Sequence, residues 1–404
     1  MWRMIGLAIL STGFGAITAR GTTYLVTPDG TGDFPTLQAA VDACRGGDVI
    51  ELADGIFRGP GNYLVDFPGY AITVHSKSGY ADRCVLDAEG HFYCLSVNRG
   101  QSGSPVIENL SFANSENAEI AIGRGSPIIR GCIFRDTRLG GCIVGGGRST
   151  LVQSCLFSGN HGPGVMCVGG SVEVAGCEFR GNDAYGAESG LSAFSGSASV
   201  KSCTFSGNRG GPVVSLFSGG SARFDECTFA GNDLGDAQGM FQMGSGSDVD
   251  LTGCIIALNT RGAEGPFDVH SSTATLSCCD VFGNASGDWT GYIADQQGVR
   301  ENFSLDPLFC DLPHSKLFLC STSPCAPEHS SGCGLVGALP VGCGAPPEPG
   351  ACCFAGGSCG VMALQDCERA HGSYRGDGVI CVPSPCIPIP VDETTWGRVK
   401  SIFR

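Results

Sequence analysis

Basic residues and long apolar runs are what this chain lacks. Only four of its 404 residues are lysines, and Lys and Arg together number 24 against 39 Asp and Glu, for a formal charge of −15. Nucleic acid is excluded as a partner, because neutralising phosphates takes basic surface. The same balance excludes an anionic membrane surface. No segment reaches the roughly 20 apolar residues of a spanning helix. The nearest is the N-terminal "MWRMIGLAILSTGFGAITARG", where one arginine precedes a short apolar run closing in small residues. That is the order of a secretory signal peptide, with cleavage expected after Ala19. Rings are scarce as well. Between Glu119 and Asp288 there is no Trp and Tyr185 is the single Tyr, while most Phe fall at core positions. That pattern counts against a sugar cleft floored by aromatic platforms.

Glycine and cysteine are plentiful, at 64 and 24 residues. So many cysteines fit an exported protein better than a reducing cytosol. Much of the excess is periodic. The blocks "CLFSGN", "CEFRGN", "CTFSGN" and "CTFAGN" align on a cysteine file of Cys132, Cys155, Cys177, Cys203, Cys227, Cys254 and Cys279. The steps along it are 23, 22, 26, 24, 27 and 25 residues. Three residues before each cysteine stand Ile129, Val152, Val174, Val200, Phe224, Leu251 and Leu276. Two residues after it stand Phe134, Phe157, Phe179, Phe205, Phe229, Ile256 and Val281. Between the apolar files, two before the cysteine, lie mostly polar residues such as Arg130, Gln153, Lys201 and Asp225.

Repeats of this length with short alternating runs, broken by "GGG" and "GSGS", exclude a helical solenoid. The fold class expected is all-β, a right-handed parallel β-helix in which each coil advances the axis by about 4.8 Å. In strand alternation, cysteine and Phe point inward and the polar file outward. Five residues after the cysteine stand Thr137, Asn160, Asn182, Asn208, Asn232, Asn259 and Asn284. Asparagine tolerates the left-handed conformation of a sharp turn and can hydrogen-bond its counterpart one coil away, which predicts a structural amide ladder. The seven cysteines are odd in number, and in-register neighbours lie farther apart than disulfide geometry allows. They are expected as buried free thiols, and a line of ligands does not converge on a metal.

The leading segment "TYLVTPDGTGDFPTLQAAVDACRGGDVIELADGIFRG" places Leu37, Ala40, Val41 and Cys44 on one helical face, suited to lie over the open first coil. It resembles the N-terminal cap of the pectin-lyase-like superfamily, and the "FSGN", "FRGN" and "FAGN" blocks resemble repeats of chlamydial polymorphic outer-membrane proteins. The resemblance spans roughly residues 22–284 and implies fold far more than activity. The segment "DPLFCD…SPC…CG…GA" resembles the closing segment of secreted bacterial β-helix repeat proteins. That resemblance implies disulfide staples among Cys310, Cys320, Cys325, Cys333 and Cys343, with Cys310–Cys320 and Cys325–Cys333 the pairs expected and Cys343 left seeking a partner. The organisation expected is a signal peptide (1–19), a capped β-helix (22–343), a Pro-rich linker (344–350), a six-cysteine mini-domain (351–386) and a tail (387–404). The mini-domain is expected to be disulfide-held, with fifteen connectivities open, and a zinc site is disfavoured for want of paired CxxC spacing. The tail carries Trp396, Val399, Ile402 and Phe403 among basic residues, and is either a sorting signal read by secretion machinery or a frayed amphipathic end.

Catalytic motifs of the resembled enzymes are missing. The NTD, DD, GHG and RIK blocks of polygalacturonases, the paired Asp contexts of pectin methylesterases and the calcium cluster with Arg of pectate lyases have no counterpart. A weaker constellation stands in the loops after each Phe: Asp136, Arg138, His161, Asp183, Tyr185 and Glu188, the candidates if the protein is an enzyme. Asp136 and Asp183, two coils apart, are expected about 10 Å from one another, near the upper limit for an inverting carboxylate pair. Asp233 and Asp236 in "NDLGD" are the candidates for calcium, the only cofactor suggested. The function expected is a secreted or cell-surface protein without catalysis, in adhesion, envelope structure or glycan binding. Its partner is expected to be an extracellular glycan or cell-envelope component. The alternative is a polysaccharide lyase, hydrolase or epimerase acting on acidic polysaccharide through a divergent site. An autotransporter passenger is disfavoured, since the C-terminal region is Cys-rich and lacks the alternating strands of a membrane barrel.

Overall fold

A computed structural model of the chain describes residues 21–386 apart from 99–102, 139–142, 146–148, 185–186, 238, 263–264, 346–349, 363 and 383–384. The proposed signal peptide, most of the linker, the tail and Tyr185 lie outside the described residues. Three parallel sheets form the walls of a right-handed β-helix. Sheet A has 11 strands, from Thr23–Val26 to Thr273–Ser277. Sheet B has 10, from Gly55–Phe57 to Asp280–Phe282, and sheet C has nine, from Val65–Asp66 to Phe267–Val269. Each winding runs A, B, C and back to A.

The periodic files stand in register as expected. Ile129, Val152, Val174, Val200, Phe224, Leu251 and Leu276 pair in order along sheet A. Along sheet B, Phe112, Phe134, Phe157, Phe179, Phe205 and Phe229 stack with ring centroids 4.5–5.2 Å apart. All these side chains are buried, so the tube is a filled core. One detail departs from simple strand alternation. The cysteine belongs to neither strand and sits at the corner between sheets A and B. The residue just before it is left-handed in every repeat: Gly131, Ser154, Gly176, Ser202, Glu226, Gly253 and Cys278, with φ between 50° and 61°.

That kink takes backbone groups out of the strand ladders, and the thiols meet them. Each Sγ hydrogen-bonds a carbonyl of the preceding coil, Cys177 to Val152 at 3.6 Å and Cys203 to Val174 at 3.6 Å. Cys177, Cys203 and Cys254 also accept from the amide of the cysteine before them in the file, Cys177 from Cys155 at 3.4 Å and Cys203 from Cys177 at 3.3 Å. The seven thiols are free and buried. Burial pushes Cys227, Cys254 and Cys279 well above the ordinary thiol range. Asn302 ends the file by imitating the next rung, accepting from the Cys279 amide at 2.9 Å and donating to the Leu276 carbonyl at 3.0 Å.

The corner between sheets B and C repeats the device with asparagine. Here the left-handed residue is the one before the asparagine (Gly159, Gly181, Gly207, Gly231, Leu258 or Gly283), so the turn does not place the asparagine itself in that conformation as expected. The amide ladder is present. Asn208 Nδ2 donates to the Phe179 carbonyl at 3.0 Å and to Asn232 Oδ1 at 2.9 Å. Its Oδ1 accepts from the Asn182 amide at 3.1 Å and Asn182 Nδ2 at 3.0 Å. The amide-to-amide bonds all run toward the C-terminal end, where Asn284 Nδ2 meets the Asp288 carboxylate at 3.0 Å. At the other end Thr137 donates its amide to Asn160 Oδ1 and its hydroxyl to Glu119 Oε1, both at 3.2 Å. Glu119 is wholly buried and also accepts from the Ser115 amide and the Cys94 thiol. Burial pushes its carboxyl up to about 7.

Both ends are covered. The helix Leu37–Ala43, capped by the Thr36 hydroxyl, buries Leu37, Ala40 and Val41 against the first coil, and Cys44 follows them inward. At the far end Trp289 and Ile293 close the core, and Gln296 satisfies the Leu276 amide and Ala274 carbonyl of the last sheet A strand. Phe303 bridges Asp280 as a last parallel rung, and the segment 304–343 does not continue the axis. It folds back along the outside of sheet B, where Phe309, Leu317, Leu319, Cys325 and Val336 bury Ala230, Ile255 and Ala257 in a second apolar cluster. This path corrects the expected disulfides: the bonds are Cys278–Cys333 and Cys310–Cys343, with Cys320 and Cys325 free. Cys333 is drawn past Cys325 to the tube because Cys278 occupies the last left-handed corner and faces out. Beyond it, Gly350–Cys353, Cys359–Met362 and Ser373–Asp377 form an antiparallel sheet held by Cys352–Cys367, Cys353–Cys386 and Cys359–Cys381.

Asn208→Ala removes four buried hydrogen bonds and strands their partners, so a loss of about 3 kcal/mol is expected, read as a lowered urea midpoint beside an unchanged far-ultraviolet spectrum. Stability is also expected to fall as pH rises from about 4.5 toward 7. The Glu119 carboxyl binds its proton more tightly folded than unfolded, so its contribution is complete below the unfolded value of 4.5 and lost through the folded value near 7. Asp280, buried under the Leu305 amide and Cys325 thiol and also pushed up to about 7, acts in the same direction. Glu119→Gln should remove roughly 3 kcal/mol of this slope in denaturation midpoints across that range.

Candidate functional site

The loops leaving the asparagine corner carry the polar residues that sequence reasoning singled out. Six residues past the cysteine, consecutive windings present Arg138, His161, Asp183, Arg209, Asp233 and Thr260. Isolated bridges join Asp183 to Arg209, Arg209 to Asp233 and Asp233 to Thr260. The Asp183 carboxylate lies 3.4 Å from Arg209 Nε. Asp233 receives both Nε and Nη2 of Arg261, and that pairing holds its carboxyl below the usual carboxylate range. From Asp183 to Asp233 the file alternates in sign, and Arg261, one residue past Thr260, completes its neutralisation.

This settles where the expected residues stand. Asp136 is exposed and left-handed at φ 60°, in the slot filled by Gly159 and Gly181 in the next coils. It is therefore in a different file from Asp183, and the structure does not set the two face to face across a cleavage site. Arg138 is exposed with its amide on the Ser115 carbonyl, while His161 and Glu188 are half-buried. Asp236 is exposed beside Asp233. As calcium ligands these two fit poorly, because Arg261 already takes both oxygens of Asp233. Among the described residues, the groups whose ligand atoms converge closely enough for a metal are cysteines of the C-terminal region.

Below the loops opens a cleft of about 520 Å³ lined by Gly210, Gly211, Pro212, Asp236, Gln242 and Arg261. Gln242 belongs to the outer face of sheet C, and the cleft leads onto that face. Inward neighbours such as Val214 and Leu216 are core, so the intervening residues point out. The outward residues form two adjacent files. One is polar: Ser192, Ser215, Gln242 and Asp268, in register over four windings. Ser215 Oγ is buried and makes no hydrogen bond among the described residues. Asp268 Oδ1 lies 3.0 Å from His270 Nε2. Two residues along the strands runs an apolar file of Val168, Phe194 and Phe217, with Val168 43% and Phe194 48% exposed. A methyl built on Gly244 would come 2.7 Å from Phe217 Cδ1, so the ring lies over a position that only glycine leaves open.

Sequence reasoning missed Arg209, Arg261, Gln242 and Phe194. Arg209 was within reach, because it stands at the same offset from its cysteine as Asp183 and Asp233. Phe194 is not, because sheet C lies beyond loops of unequal length and its facing does not keep a fixed offset from the cysteine.

Comparison with known proteins agrees with this architecture. The family described as "right handed beta helix region" matches residues 70–229 and 189–299, more than half of the chain. No curated protein matches the sequence. Among solved structures, the crystal structure of the pectate lyase Pel9A superposes with a TM-score of 0.52 at 16% identity, covering 80% of this chain and 97% of that one. At that identity the likeness is one of fold alone. With its three parallel sheets in register winding by winding, the chain belongs to the right-handed β-helix family.

Proposed function

We propose that this is an exported, non-catalytic glycan-binding protein of the cell surface or its surroundings, and that the outer face of sheet C is its binding surface. One observation carries the reading: an exposed apolar file with a ring at its centre runs beside a polar file, both repeating at the spacing of the windings, and the polar file meets the cleft under Arg261 at Gln242. A chain of sugars presents apolar faces and hydroxyl edges at regular intervals, and the exposed Phe194 ring meets the first by stacking while half-buried Gln242, with Arg261 at the cleft, meets the second by hydrogen bonding; Ser192, Ser215 and Asp268 of the same file are buried behind them. The ion pairs support binding over cleavage, since carboxylates engaged by Arg209 and Arg261 are poorly placed to exchange protons with a substrate. Export is supported by the five disulfides among the described residues and by the signal-like N-terminus. No helix among the described residues is long and apolar enough to cross a membrane. A polysaccharide lyase acting on acidic polysaccharide is the second reading, favoured only by the name of the Pel9A neighbour.

A glycan array followed by a cleavage assay over acidic polysaccharides, with and without calcium, separates the two. Binding without turnover and without calcium dependence is expected; turnover overturns the reading. Phe194→Ala and Arg261→Ala should each weaken the identified glycan by about tenfold, near 1.4 kcal/mol. Arg130→Ala, on the outer face of sheet A where it pairs with Glu108 at 2.9 Å, should leave binding unchanged.

A further inference from the structure

Thirteen of the described cysteines are free, and one of them differs from the rest in what its sulfur touches. The ladder thiols face carbonyls and amides inside the tube. Cys320 Sγ instead lies 3.2 Å from Cys343 Sγ, which is bonded to Cys310. The three sulfurs stand within 4.8 Å of one another. The backbone sets this up: Lys316–Cys320 pairs with Phe309–Asp311 on one side and with Val341–Cys343 on the other, with Cys320 opposite Cys343. Cys343 thus has two partners close at hand, Cys310 bonded to it and Cys320 on the neighbouring strand. Cys320 is only 2% exposed, while Cys310 and Cys343 are half-buried.

We propose that Cys310, Cys320 and Cys343 form a thiol–disulfide exchange site that relays a buried thiol to the surface at Cys310, where it takes up an external disulfide. In the first step Cys320 gives its proton to solvent and the thiolate attacks Cys343 Sγ. The Cys320–Cys343 bond forms, the Cys310–Cys343 bond breaks, and Cys310 leaves as thiolate. The count of thiols and disulfides is unchanged, so no oxidant enters. In the second step the Cys310 thiolate attacks an external disulfide R–S–S–R′, forming Cys310–S–S–R and releasing R′–S⁻. The result is a covalent attachment point on the segment that lies along sheet B, remote in the fold from the glycan surface on sheet C.

Oxidised glutathione serves as the probe. The native protein is incubated with it at mildly alkaline pH, quenched in acid, digested with pepsin and mapped by mass spectrometry. Glutathione on Cys310 together with a Cys320–Cys343 peptide is the expected result. An intact Cys310–Cys343 peptide with no glutathione on Cys310 overturns the proposal, whatever other cysteines react. In Cys320→Ser the Cys310 adduct should fall at least about tenfold, because the attacking thiolate is gone; an undiminished adduct also overturns the relay. The map of the unaltered protein decides the question by itself should that variant fold poorly.

Discussion

A polypeptide wound into a tube of parallel strands must turn corners, and at each corner its backbone polar groups lose their strand partners inside a dry core. Leaving one buried amide or carbonyl unmet costs about 1–3 kcal/mol, and this protein turns such corners in winding after winding. It solves the problem the same way twice. A single left-handed residue makes the bend, and the side chain that follows reaches into neighbouring windings to replace the missing backbone bonds, the thiol into the preceding one and the carboxamide into both. Between sheets A and B that side chain is a thiol, and between sheets B and C a carboxamide. The difference in chemistry follows the bonds required. Asn208 makes or receives four hydrogen bonds in good geometry, whereas the smaller cysteine fills its corner with an apolar atom that still serves as a weak donor and acceptor.

The amide file is polarised. Its amide-to-amide bonds all run in one direction, although each Nδ2 also donates back to a carbonyl of the preceding winding, so the two ends cannot be alike. The end that donates outward finishes on the Asp288 carboxylate. The end that accepts begins at Thr137, which in turn leans on Glu119. The shared neutral interior of the file stands between two acids, one of them wholly buried. The cysteine file closes differently, on Asn302, which supplies both bonds that another thiol would have made.

How much of this was legible in the sequence follows from which features repeat. The cysteine, Phe and asparagine files could be read because each is dictated at every winding by the same local need, so the spacing survives loops of unequal length. The capping helix was legible from a single amphipathic turn pattern ending in Cys44. The left-handed position was misplaced by one residue, because glycine and asparagine share the preference and stand side by side. The disulfides of the closing segment were misread because their partners are set by a fold-back over sheet B. Cys278 hid beside ladder member Cys279 although the corner turns it the opposite way. The candidate site was legible only as a band of polar loops. Its internal neutralisation depends on residues in neighbouring windings, and the file on sheet C depends on facing that no motif records.

The directionality of the asparagine file has a consequence for how such a chain can change length. A middle winding is bordered above and below by equivalents of itself, so duplicating or excising one leaves every junction chemically as it was. The first and last windings lack that freedom, since each supplies a terminator found once. Growth and shrinkage of this molecule over generations are therefore confined to its interior, while Glu119, Asp288 and Asn302 travel with the extremities as fixed bookends.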